Sequence, residues 1–198
     1  MLKFLSAKAS PQKWRRFVHS SAQTRTLDGD RLQAKSLKKI CKILTSSPTA
    51  DVSEVLQKSK VEASPKLVEE VLMRFENAGM QAYRFFEWAG KQQDYAHSVE
   101  AYHIIIDSLG KIQQYGLMWT VVNLMKIKGV LTKETFAIIM RRYARAKKIE
   151  EAVYTFDTME KFGVLPDLEA FNSLLSALCK CKKVRKAQEV FDLMKVRQ

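Results

Sequence analysis

Three basic residues recur along the chain at nearly constant spacing. Lys111, Arg145 and Lys180 follow one another at intervals of 34 and 35 residues. Cations at a regular interval suit a polymer with regularly spaced negative charge, such as the phosphodiester backbone of a nucleic acid. We expect each of the three to contact one phosphate. An alternative, compatible with this role, is that each cation lies at the negative end of a helix dipole, where it contributes about 0.3 to 1 kcal/mol.

Residues that could catalyse a reaction or bind a metal show no comparable organisation. The chain has three histidines and three cysteines: His19, His97, His103, Cys41, Cys179 and Cys181. No histidine has the spacing of a metal ligand or of a nucleophile's partner, and the cysteines indicate neither a disulfide framework nor a zinc site. The sequence also lacks a glycine-rich phosphate loop. We therefore predict no enzymatic activity, no cofactor and no metal.

The three basic residues belong to a longer repeated pattern. In each copy an aromatic residue follows a glutamate by two positions, and a methionine comes later: Glu100, Tyr102 and Met125; Glu134, Phe136 and Met159; Glu169, Phe171 and Met194. A repeat of 34 to 35 residues is typical of arrays of helical hairpins, each of which is too small to bury its apolar face alone.

Each repeat contains two segments with apolar residues at helical spacing. In the best example the first segment begins at Phe136 and the second at Ile149, with the basic run Ala146–Lys148 between them. The repeat ends near Gly163 and Pro166, which favour helix termination. We predict two antiparallel helices per repeat and an all-α solenoid of stacked helical hairpins. No apolar run is long enough to span a bilayer.

Residues 1–27 differ in composition from the rest of the chain. They contain six Lys and Arg residues, no Asp or Glu, and many Ser, Thr and Ala residues, which is typical of organellar transit peptides. The segment Arg15–Ser21 is similar to a mitochondrial processing region. We predict a transit peptide at 1–27 and a location in the mitochondrial matrix rather than the chloroplast. The alternative is a basic arm that binds nucleic acid.

The net charge also favours a polyanionic partner. It is +13 for the whole chain, of which +6 lies in residues 1–27 and +7 in the remainder. A helical array with such an excess attracts polyanions through counterion release. An alternative is that the lysines only keep a long surface soluble.

Two segments resemble a known repeat family. The segment Ala170–Lys180, followed by Ala187–Met194, resembles the pentatricopeptide repeat of plant organelle RNA-binding proteins. The segment Tyr83–Gly90 resembles the lead-in repeat of the class with plain repeats, the P class. The resemblance implies a right-handed solenoid. The expected divisions are a helical lead-in at 28–63 and a repeat array at 64–198, with repeats at 64–98, 99–132 and 133–167 and an incomplete repeat at 168–198.

The resemblance also implies which residues contact RNA bases. In that family, the residue after the first-helix aromatic and the last residue of the repeat together read one base of single-stranded RNA. The corresponding residues here are Val68 with Ser98, His103 with Thr132, Ala137 with Asp167, and Asn172 without a partner in the chain. Only Asn172 is of a common reading type. Val68 and Ala137 have no polar side-chain atom, so they cannot discriminate bases by hydrogen bonding.

The repeated glutamates depart from the family pattern, which has a small apolar residue against the base at this position. Glu100, Glu134 and Glu169 stand there instead. A carboxylate repels a phosphodiester chain and offers no stacking surface. The alternative is that the glutamates lie in the first turn of each helix, where negative charge favours the positive end of the dipole.

The function implied by the resemblance is binding of single-stranded organellar RNA in RNA processing, stability, splicing or translation. The alternative is a helical protein-binding scaffold, such as a mitochondrial ribosome or assembly component. The last repeat lacks its closing turn and a polar capping helix, so we expect an apolar strip at Phe191 and Met194 that self-associates or binds another protein. We expect such a chain to be a fragment of a longer protein.

Overall fold

The computed structural model describes residues 31–46 and 52–196, and these ranges contain helices and turns but no strand. The helices are α1 (31–46), α2 (Val52–Lys58), α3 (Pro65–Arg74), α4 (Gly79–Gly90), α5 (Val99–Lys111), α6 (Tyr115–Ile127), α7 (Lys133–Arg145), α8 (Ile149–Thr158), a 3-10 turn (Glu160–Phe162), α9 (Leu168–Lys180) and α10 (Val184–Val196). The predicted all-α fold is confirmed. None of the described helices has both the length and the apolar character needed to cross a bilayer. The predicted transit peptide at 1–27 lies outside the described residues.

Consecutive hairpins stack through their first helices. Helix α3 contacts α5, α5 contacts α7, and α7 contacts α9. Within the hairpins, α5 packs on α6, α7 on α8 and α9 on α10. The first helices therefore form a continuous row, and equivalent positions of α5, α7 and α9 follow one another along the solenoid.

Side-chain caps fix where each first helix begins. Ser98, Thr132 and Asp167 directly precede α5, α7 and α9, and each side chain accepts a hydrogen bond from the backbone N–H three residues later. Such a cap satisfies a backbone donor that has no partner inside the helix. The chain then reverses after α5, α7 and α9 with a residue in the left-handed conformation: Gln113, Lys147 and Lys182, at φ values of 59°, 63° and 59°.

The repeated aromatic residues are part of the buried core of this row of helices. Tyr102, Phe136 and Phe171 are at most 5% exposed, and burying each such side chain stabilises the fold by about 1.5 to 3 kcal/mol. Tyr102 differs from the two phenylalanines because its buried hydroxyl has no hydrogen-bond partner among the described residues. The buried hydroxyl of Tyr115, in the same repeat, also has no partner among the described residues, so this repeat buries two polar groups without compensation.

A second aromatic cluster fills the turn between α4 and α5. His97 stacks on Phe86 with ring centroids 3.7 Å apart, and its Nδ1 lies 3.1 Å from the hydroxyl oxygen of Tyr95. A Cβ at Gly90 would lie 2.7 Å from His97 Nε2, so the glycine makes room for the imidazole. Burial lowers the pKa of His97 to about 4 and raises the pKa of Tyr95 to about 12.

The predicted apolar strip near the C-terminal end is described only in part. Phe191 is 38% exposed and stacks on Phe171 with ring centroids 6.4 Å apart. The side chain of Met194 lies outside the described residues. The ring of Phe191 is thus partly covered by its own repeat.

Candidate nucleic-acid interface

An open groove of about 650 Å³ lies between α7 and α9, the first helices of two consecutive hairpins. Four of the residues predicted to bind RNA line it: Ala137, Arg145, Asn172 and Lys180. They come together because equivalent faces of stacked first helices adjoin. Two predicted base-reading positions and two predicted phosphate contacts therefore share one surface.

The two cations of this groove are available to a ligand. Arg145 and Lys180 are exposed, and each is the last residue of its helix. Neither forms a salt bridge with another described residue. At these positions each cation also faces the negative end of a helix dipole, so the position is compatible with both roles proposed for it.

Lys111 has a different environment from Arg145 and Lys180. Its side chain is only 21% exposed, and its Nζ lies 2.9 Å from Glu76 Oε2 and 3.7 Å from Asp107 Oδ2. Lys111 is not among the residues that line the α7–α9 groove. The structure thus gives this cation carboxylate partners from two consecutive hairpins, which supports a structural role.

The proposed reading pair of the second repeat, His103 and Thr132, is brought together. His103 Nε2 lies 3.2 Å from Thr132 Oγ1 and 3.0 Å from Thr135 Oγ1. Thr132 also caps α7 in a reciprocal capping box with Thr135. Burial lowers the pKa of His103, which favours the neutral imidazole. Nε2 of His103 and Oγ1 of Thr132 are therefore engaged within the protein.

The other proposed reading residues differ in their exposure and in their contacts. Asp167 caps α9, accepting a hydrogen bond of 2.9 Å from the Ala170 N–H, and pairs with Lys133. The hydrogen bond from Lys133 lowers the pKa of Asp167. Asn172 is exposed, so its amide is free to meet a base in the groove. At the first repeat, Val68 is fully buried and does not present a side chain to solvent.

The repeated glutamates lie in the first turn of their helices, and two of them also face the groove. Glu100, Glu134 and Glu169 all lie in the first turn of their helices, where a carboxylate favours the positive dipole end. Glu134 and Glu169 also line the groove. The groove is therefore mixed in charge, with carboxylates at the start of the helices and cations at their ends.

Sequence reasoning missed three polar residues of this groove: Arg141, Ser173 and Ser176. Helical spacing could have indicated Arg141, because Ala137, Arg141 and Arg145 are four residues apart and lie on the same face of α7. Comparison of the repeats does not indicate Arg141, because the equivalent residue is Asp107 in the preceding hairpin and Ser176 in the next. Among the described residues, no group of His, Cys, Asp and Glu side chains is arranged to hold a metal ion.

Comparison with known proteins agrees with the fold and the repeats. A model of the PPR repeat family matches residues 131–180, and a model of the PPR repeat matches residues 169–198. The crystal structure of the pentatricopeptide repeat protein PPR10 from maize superposes with a TM-score of 0.57 at 28% identity, covering 74% of this chain and 21% of that one.

Curated relatives extend the match over most of the chain. One mitochondrial pentatricopeptide repeat-containing protein of Arabidopsis thaliana is 51% identical over 92% of this chain and 34% of its own length. A second, also mitochondrial, is 43% identical over 83% of this chain and 32% of its own length. The chain thus spans about a third of these relatives, and it shares their mitochondrial location. Residues 131–198 carry repeats of the pentatricopeptide repeat family, and most of the chain is similar to mitochondrial members of that family.

Proposed function

We propose that the chain binds single-stranded RNA in mitochondria through the groove between α7 and α9. The observation that carries the proposal is the placement of Arg145, Lys180 and Asn172 on this one surface. The two cations supply phosphate contacts, and the exposed amide of Asn172 can donate to and accept from a base edge. Binding of this kind serves RNA processing, stability, splicing or translation.

The same surface predicts weak binding with little sequence preference. Glu134 and Glu169 reduce the attraction of the groove for phosphate, and Ala137 has no polar side-chain atom with which to read a base. His103 and Thr132 are engaged with each other. Affinity should therefore come mainly from phosphate contacts, which salt screens.

Fluorescence anisotropy with labelled oligouridine and oligoadenosine tests this function on the full chain. We expect weak binding to both probes, falling steeply as salt increases. An absence of binding even at low salt would contradict the proposal and favour a protein-binding scaffold. Tight, salt-insensitive binding to only one probe would show that base contacts rather than phosphate contacts dominate.

A further inference from the structure

A cluster of charged residues joins α5 to α7 beside the groove. Asp107 of α5 accepts hydrogen bonds from Arg142 of α7 at 2.6 Å (Nε to Oδ1) and 2.5 Å (Nη2 to Oδ2). Asp107 also receives a longer contact of 3.4 Å from Nη2 of Arg141. Burial raises the pKa of Asp107, but the hydrogen bonds and charges of the two arginines outweigh it, so this pKa lies below its usual value. The carboxylate is therefore ionised at neutral pH.

The cluster carries more positive than negative charge. Three cations, Arg141, Arg142 and Lys111, contact two carboxylates, Asp107 and Glu76. The exposed fraction of the side chain is 11% for Arg142, 21% for Lys111 and 42% for Arg141. The excess charge is consequently most accessible at Arg141.

Gly110 determines which arginine binds Asp107 most closely. A Cβ at position 110 would lie 2.6 Å from Cγ of Arg142, so glycine allows Arg142 to cross α5 and reach both carboxylate oxygens. Arg141 keeps one contact to Asp107, while a guanidinium has five N–H donors. Most donors of Arg141 are therefore left for another partner.

Arg141 lines the α7–α9 groove together with Arg145 and Lys180. We propose that Arg141 is a further phosphate-contacting residue of this groove and that Asp107 of the preceding hairpin positions its guanidinium. The ligand is the phosphodiester backbone of single-stranded RNA, for which a planar guanidinium provides paired donors. This inference rests on the proposed function. It adds a contact in the middle of α7, where the repeat period alone indicates none.

The test compares Arg141→Gln and Arg141→Lys with Arg185→Gln in the full chain. Arg185 is exposed on α10 and is not part of the groove lining, so its substitution makes the same charge change elsewhere. Circular dichroism melting checks that all variants fold. Binding to labelled oligouridine, oligoadenosine and oligoguanosine is measured as a function of salt.

We expect Arg141→Gln to weaken binding roughly threefold to tenfold on all three probes and to reduce the salt slope by about 1. Arg141→Lys should retain the salt slope, and Arg185→Gln should change binding less than Arg141→Gln. If the wild type binds but Arg141→Gln and Arg185→Gln lose equal affinity, the inference about Arg141 is wrong while the proposed function stands. The same holds if the loss for Arg141→Gln is confined to oligoguanosine. An absence of wild-type binding would overturn the proposed function together with it.

Discussion

His103 Nε2 and Thr132 Oγ1, the two positions proposed to read one base, lie 3.2 Å apart and contact each other. Thr132 is at the same time the N-cap of α7. A side chain that completes the fold in this way is not free to select a base. We therefore expect the repeat at 99–132 to contribute to stability more than to sequence preference.

Replacing the cap separates these two contributions. Thr132→Ala should lower the free energy of unfolding by about 1 kcal/mol, because the first turn of α7 loses its side-chain acceptor. Thr132→Ser keeps a hydroxyl and should lose much less. Urea denaturation gives the stability, and anisotropy gives the ratio of oligouridine to oligoadenosine affinity. An altered ratio with unchanged stability would identify Thr132 as a reading residue.

The buried hydroxyl of Tyr102 offers a stabilising substitution. Tyr102→Phe removes an oxygen that has no hydrogen-bond partner among the described residues and restores the residue type of Phe136 and Phe171. We expect the free energy of unfolding to rise by about 1 kcal/mol. Tyr154→Phe is the matched control, because Tyr154 is 60% exposed and the same oxygen is removed from a solvent-exposed residue. A loss of stability for Tyr102→Phe would mean that the hydroxyl has a partner after all.

His97 should make the fold sensitive to mild acid. Burial lowers its pKa from 6.5 to about 4, so the unfolded chain binds a proton more readily between these values. Stability from this source is therefore complete above about pH 6.5 and is lost as the pH falls toward 4. Burial lowers the pKa of His103 as well, which adds a loss of the same sign.

Thermal melts from pH 7 to about pH 4 measure this dependence. His97→Gln should melt lower at neutral pH, because its stacking on Phe86 is lost. The decline of Tm with falling pH should also become shallower than in the wild type. An equally steep decline in the variant would show that other groups, such as His103, cause the acid sensitivity.

The helical hairpins could be predicted because the residues that determine each helix lie within or next to it in the sequence. Apolar spacing and the termination signals at Gly163 and Pro166 lie within a few residues of the helix ends that they determine. Interactions between hairpins could not be read in this way. The ion pair of Lys111 with Glu76 is an example, because Glu76 lies 35 residues earlier and approaches Lys111 only when the hairpins stack.

The backbone conformation of the turn after α7 could not be predicted from the sequence either. Lys147 adopts a left-handed conformation at φ 63°, which glycine favours and lysine does not. The role of Arg141 could not be predicted for a different reason, because the equivalent residues of the adjacent repeats are an aspartate and a serine. Packing between α5 and α7, rather than residue type, determines what Arg141 and Arg142 contact.

The salt dependence of RNA binding tests the central claim most directly. The full chain is compared with an Arg145→Gln, Lys180→Gln double variant and with Lys111→Gln, using labelled oligouridine across a salt series. We predict that the double variant lowers the slope of log K against log salt by about 2, one for each lost phosphate contact. Lys111→Gln should keep the wild-type slope but lower Tm, because the contacts of Lys111 with Glu76 and Asp107 are lost. An unchanged slope in the double variant, with a loss of slope in Lys111→Gln, would contradict RNA binding through the α7–α9 groove.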